Sequence, residues 1–214
     1  MSVKRLRAER QNNVTLFDED EEQQHPFKKT RTLHQKVRVK LTPEDLTEII
    51  RIATERHTRN LAAQVKERKS VNRDGLVLGI QGLVGEWLLY KLFQIDTAPL
   101  YDTTPRNWQK DNARDARLEG KKIEVKTTYS HNFGIRVEAR EAKKPADYYA
   151  LVTSVREQRD APYTPKETID CVFHGFVRAE DLLRPENLRK WGDGKQYYCL
   201  GNEYFEERIA VPIN

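Results

Sequence analysis

Residues 113–128, ARDARLEGKKIEVKTT, read as two short strands folded back on each other at Glu119 and Gly120. A two-residue hairpin turn needs positive backbone φ angles, and glycine supplies one at no steric cost. That loop sets a register in which Leu118 faces Lys121, Ala116 faces Ile123 and Asp115 faces Glu124. Side chains alternate along a strand, so Ile123 and Val125 point to one side. Glu124 and Lys126 point to the other, together with Asp115.

Two carboxylates opposed across a strand pair repel each other unless a proton or a cation lies between them. Hard oxygen ligands close together suit Mg²⁺, which takes one or two carboxylates, keeps several waters and accepts phosphate oxygens. Lys126, two residues beyond Glu124, can hold or help deprotonate an attacking water. In a chain that is 33% charged, an exposed Glu-x-Lys strand face also arises without any such chemistry. The pattern needs a second element.

That element lies upstream, in GLVLGIQGLVGEWLLYKLFQI from Gly75 to Ile95, where only Glu86 and Lys91 are charged. A membrane span is excluded because each of those charges costs about 2.5 to 3.5 kcal/mol on insertion scales. A buried helix of a soluble domain is expected instead. Gly79, Gly82 and Gly85 each weaken a helix by about 1 kcal/mol relative to alanine. Their spacing is therefore expected to form a smooth strip for a close backbone or ligand, with Glu86 on the same side.

A Gly-x-x-Gly-Glu helix (Gly82 to Glu86), then a strand Asp, then Ile-Glu-Val-Lys-Thr on the paired strand, resembles the PD-(D/E)XK nuclease superfamily, whose fold is restriction-endonuclease-like. The resemblance spans about residues 75–155. It implies Glu86, Asp115 and Glu124 as Mg²⁺ ligands, with Mn²⁺ as a substitute, the Val125 carbonyl as a further ligand, and Lys126 as the residue serving the hydrolytic water. The pattern departs from the family in having Arg114 where a proline precedes the Asp. Two further strands, at 134–140 and 147–155, are expected to extend the core sheet. Only about six residues separate them, too few for a full crossover helix, so Lys143, Lys144 and Pro145 suggest a short helical turn at most.

Other parts of the chain set the context. Thr42, Pro43, Glu44 and Asp45 form a strong helix start. Apolar spacing then predicts a helix to about Lys69, with Leu46, Ile49, Ile50, Ala53, His57, Leu61 and Val65 on its buried stripe. Another buried strand is expected at 170–177, with His174 packed in it, and the alternating Ile209, Val211 and Ile213 close the chain. Lys121, Lys122 and Arg136 are candidate contacts to a DNA backbone, and Tyr129 and His131 are candidates to reach a phosphate or base.

The net charge of +5 is uneven. The first 40 residues hold ten basic and six acidic side chains, leaving 28 and 27 in the remainder. Nucleic-acid binding must then come from focused charge rather than bulk attraction. Residues 1–36 are expected to be a flexible charged tail, since they carry too few apolar groups to offset ordering; a solubilising leader, a DNA-touching arm and a nuclear-import signal all fit it. Residues 37–214 are expected to form one domain. Two cysteines with no metal-ligand spacing and no secretory leader point to an intracellular setting, cytoplasmic or nuclear. No phosphate-binding loop, dinucleotide fingerprint or serine-hydrolase elbow is present.

The reading is an α/β (α+β) protein with a central mixed sheet flanked by helices. It is expected to be a Mg²⁺-dependent deoxyribonuclease, an endonuclease of restriction or structure-specific type. A non-catalytic DNA-binding or scaffold module that keeps the fold is the alternative. DNA is the expected partner, with no membrane, and the active form is a monomer or a homodimer.

Overall fold

The computed structural model describes residues 36–64, 74–104, 115–129, 134–143, 145–156, 161–192 and 194–206. Within them the chain runs β1 (Val37–Leu41), α1 (Pro43–Ala62), α2 (Gly75–Leu92), β2 (Ala116–Leu118), β3 (Lys121–Thr128), β4 (Ile135–Glu138), β5 (Tyr148–Val155), β6 (Ile169–Arg178), α3 (Ala179–Leu182), β7 (Leu188–Lys190), β8 (Gln196–Leu200) and α4 (Glu203–Glu206). The expected 1–36 tail, apart from Lys36, and the Ile209, Val211 and Ile213 run lie outside the described residues.

The strands form a five-stranded mixed sheet ordered β1-β6-β5-β3-β2 and a separate three-stranded sheet ordered β4-β8-β7. Only β3 and β5 pair in parallel, and every other neighbour is antiparallel. A parallel pair requires a crossover between its members. Here the crossover is β4 followed by a one-turn 3₁₀ helix, Glu141–Lys143, in place of a long helix.

This corrects the expectation for 134–140. That run is a strand, but it ends at Glu138 and leaves the central sheet to pair with β8. Its place in the central sheet is taken by β6 and β1. The reason lies in burial on both sides: β5 is buried from Tyr148 through Ser154, its alternate residues entering two different cores. Tyr148, Ala150 and Val152 join the helices, while Tyr149 and Leu151 join Ile135, Val137, Leu182 and Phe205 beneath the small sheet.

Helix α1 starts at a capping box in which Thr42 and Asp45 satisfy each other's backbone N–H groups. It ends at Ala62, short of Lys69, with Gln64 in the left-handed region at φ 53°. Its buried positions are Leu46, Ile49, Ile52 and Ala53, while His57 is only partly buried and Leu61 is 59% exposed. Helix α2 ends at Leu92, with Gln94 at φ 51°. The two helices are tied where Asp45 accepts from the Trp87 indole N–H at 3.1 Å and pairs with Lys91 at 2.6 Å. Among the described residues no helix is long and apolar enough to cross a membrane.

A carboxylate and lysine site on the hairpin

The β2–β3 hairpin has the expected register, with Ala116 opposite Ile123 and Leu118 opposite Lys121. Its turn residues Glu119 and Gly120 both have positive φ, 47° and 79°. Asp115 stands immediately before β2, where the charge of Glu124 acts on its carboxyl. It is pinned there: its Oδ2 accepts from the Val125 N–H at 2.7 Å, and its carbonyl accepts from the Tyr90 hydroxyl at 2.9 Å.

Strand β3 is held against α2 by shape. A Cβ on Gly85 would fall 2.0 Å from Thr127 Oγ1 and 3.1 Å from Val125 Cγ1, so only glycine admits this approach. Gln81 adds a bond from its side-chain amide to the Thr127 carbonyl at 3.3 Å. Among the described residues Gly79 and Gly82 meet nothing within 4 Å, so the close contact belongs to Gly85 alone and not to a three-glycine strip.

The charges on the other face of β3 interlock. Lys126 Nζ lies 2.9 Å from Glu124 Oε1 and 2.8 Å from Glu141 Oε2, with all three side chains under a fifth exposed. Burial alone would lower the lysine's pKa, but Glu124 and Glu141 outweigh it and leave the ammonium raised above its ordinary range. Glu86, on α2, sits 3.6 Å from Arg56 Nη1, and Arg56 also donates to the Leu100 and Asp102 carbonyls. The Asp115 carboxyl is pushed well above its usual range by burial, then by the charges of Glu124 and Glu86, against the opposing effect of the Val125 N–H and Lys126. Asp115 therefore feels the charges of both Glu124 and Glu86.

Burial is the main reason the Asp115 carboxyl is raised, and a cation beside it would relieve only the part that comes from Glu124 and Glu86. Among the described residues, no group of three or more His, Cys, Asp or Glu side chains is gathered closely enough to hold a metal ion. Glu86 and Glu124 instead face the protein's own cations, Arg56 and Lys126.

The expected DNA contacts are not gathered in one place. Lys121 and Lys122 start β3, where the Lys122 N–H donates to Asp147 Oδ2 at 2.6 Å, and Tyr129 follows the strand's other end. Arg136 lies on the small sheet, its guanidinium 4.2 Å from the centroid of the Trp191 ring. His131 falls outside the described residues. His174 is buried in β6 and shares a 2.7 Å hydrogen bond with Thr153. Sequence reasoning missed Arg56 and Glu141. Neither carries a local signal, since each joins the site only through tertiary folding.

A family model described as a family of unknown function, DUF5843, matches residues 34–214, and the chain belongs to that family. No curated protein and no solved structure matches it.

Proposed function

We propose that this protein is a Mg²⁺-dependent nuclease, with Mn²⁺ as a substitute, that hydrolyses DNA phosphodiester bonds as an endonuclease from a restriction-endonuclease-like core of the PD-(D/E)XK type. The observation that carries this reading is the Asp115 carboxyl, bonded to the Val125 N–H and acted on by the charges of Glu124 and Glu86, with Lys126 beside Glu124. Asp115, Glu124 and Glu86, with the Val125 carbonyl, would hold the cation only after drawing closer together than they stand here, with Glu86 leaving Arg56 and Glu124 leaving Lys126. When bound, it would act as a Lewis acid on the phosphate.

The residues divide the remaining work. Lys126, held by Glu124 and Glu141, orients the attacking water and offsets charge developing on phosphate. Were Glu124 to ligate a cation, Glu141, 2.8 Å from Nζ, would still hold the ammonium. Tyr90 and the Val125 N–H fix the Asp115 backbone and carboxylate, so the pair is set before substrate arrives. Lys121, Lys122, Tyr129, His131 and Arg136 are the proposed DNA contacts. An intracellular setting, cytoplasmic or nuclear, follows from such a substrate, and pairing of two chains would place two sites on one duplex.

A specific observation favours a second reading, a non-catalytic DNA-binding or scaffold module. Arg56 and Lys126 already balance Glu86 and Glu124 without any metal. The two readings part when purified protein meets supercoiled, linear, single-stranded and branched DNA with Mg²⁺, Mn²⁺ or EDTA, beside Glu124→Ala and Lys126→Ala. Metal-dependent products lost in both variants support the nuclease. Binding with no product under any metal overturns it.

A further inference from the structure

The small sheet has one buried face and one outer face of unusual composition. Ile135, Val137, Tyr198 and Leu200 contribute to the second core, so the alternating Arg136, Glu138, Tyr197, Cys199 and Arg189 share the opposite face. Arg136 lies over the Trp191 ring, and Trp191 meets Tyr197 edge-on with centroids 6.2 Å apart. Trp191 is 45% exposed. Arg136 lies directly across the ladder from Cys199, and Arg189 directly across from Tyr197.

We infer that this outer face, centred on Trp191, Tyr197, Arg136 and Arg189, is a platform for single-stranded DNA. Charge complementarity selects the partner. On this face and in the turn beside it the sequence holds four cations, Arg136, Arg140, Arg189 and Lys195, against two carboxylates, Glu138 and Asp193. Glu138 is itself paired with Arg140 at 2.7 Å. The exposed Trp191 indole, with the half-buried Tyr197 phenol and Arg136 guanidinium beside it, suits the open faces of unpaired bases, whereas a duplex keeps its base faces stacked on one another. The platform is preformed, because Trp191 sits in a turn closed by bonds from its N–H to the Lys195 carbonyl and from the Gly194 N–H to its own carbonyl, both 2.9 Å.

The platform also leads to the site. Strand β4, which carries Arg136, runs through Ala139 and Arg140 into Glu141, the partner of Lys126. Resting on the nuclease reading, this gives the substrate class as DNA with an unpaired segment beside the scissile bond, such as an overhang, flap or branch.

The test is fluorescence anisotropy with a labelled ~15-nucleotide DNA of mixed sequence and its duplex, at low salt in EDTA, using the full chain. The single strand should bind about tenfold more tightly than the duplex. Trp191→Ala should weaken single-strand binding about tenfold and duplex binding less than twofold, and Trp191→Phe should restore most of the loss. Arg136→Gln, which leaves the aromatic turn in place, should weaken single-strand binding in the same selective way. Equal affinity for the two DNAs, no binding, or folded Trp191→Ala and Arg136→Gln variants with unchanged single-strand affinity would each overturn the platform. Binding in EDTA does not depend on cleavage, so failure of the nuclease reading would appear separately, as absence of metal-dependent product.

Discussion

The two faces of β3 are built on different physics. Toward α2, Ile123 and Val125 are buried, and Thr127 meets the Cα of Gly85 so closely that no methyl group fits between. On the opposite face Glu124 and Lys126 meet Glu141 and act on Asp115, and geometry there is set by charge at 2.8 and 2.9 Å. The apolar face gains stability whatever the pH, since nothing in it titrates. The charged face is a balance in which each group's cost depends on its neighbours' protonation. One strand thus joins a rigid support to an adjustable electrostatic site.

The largest expected effect attacks the charged face. Lys126→Ala should lower DNA cleavage by about 10² to 10⁴-fold if the lysine serves the water. Contrary to a purely catalytic role, it should also destabilise the fold by about 2 to 4 kcal/mol, because Glu124 and Glu141 lose their shared cation. Urea denaturation checks the second half, and Lys126→Met with Glu141→Gln should recover stability without activity. Unchanged turnover in Lys126→Ala would remove the lysine from the mechanism.

Next comes the apolar face. Gly85→Ala should cost about 1 to 3 kcal/mol in denaturant, despite alanine's better helix propensity, because the new methyl meets Thr127 Oγ1. Adding Thr127→Ala should recover most of that loss. Failure of the rescue would show that the helix and strand are not in steric contact there.

Asp115→Asn should do the reverse of most site mutations and stabilise the protein at neutral pH by about 1 kcal/mol, read as a rise in Tm. The sign follows from linkage. A carboxyl with a raised folded pKa is protonated more readily in the folded state than in the unfolded chain. Stability is therefore greatest below the ordinary carboxylate pKa and falls as pH rises through the raised value. Asparagine, which does not titrate, should flatten that slope while abolishing Mn²⁺ binding. The smallest effect is expected from Thr127→Val: Thr127 Oγ1 is buried without a hydrogen-bond partner, and its removal should be neutral or stabilising by less than about 1 kcal/mol.

The parts of this arrangement readable in the sequence are those fixed by neighbours along the chain. Gly120 dictates the turn, the turn dictates the register, and the register sets Ala116 opposite Ile123. Thr42 and Asp45 announce the start of α1 for the same reason. Period-two alternation identifies β4 as a strand but says nothing about which sheet receives it, and that choice was settled by burial of both sides of β5. Glu141 and Arg56 lie in a connecting turn and a distant helix, and only tertiary packing brings them to Lys126 and Glu86. A Cβ at Gly79 or Gly82 would meet no neighbouring element of the described residues within 4 Å, because helical spacing aligns residues without bringing a second backbone to them.

The pairing of β1 with β6 also orders events during synthesis. Val37 emerges from the ribosome long before its partner Phe173, with an interval on the order of ten seconds at ordinary elongation rates. Throughout that interval Val37, Val39 and Leu41 form a nascent strand with no sheet to join, open to pairing with other chains. Arg38 and Lys40 alternate with them. Their charges oppose strand-to-strand association of nascent copies, and because β1 stays at the margin of the sheet they go on guarding its outer edge after β6 has paired with the inner one.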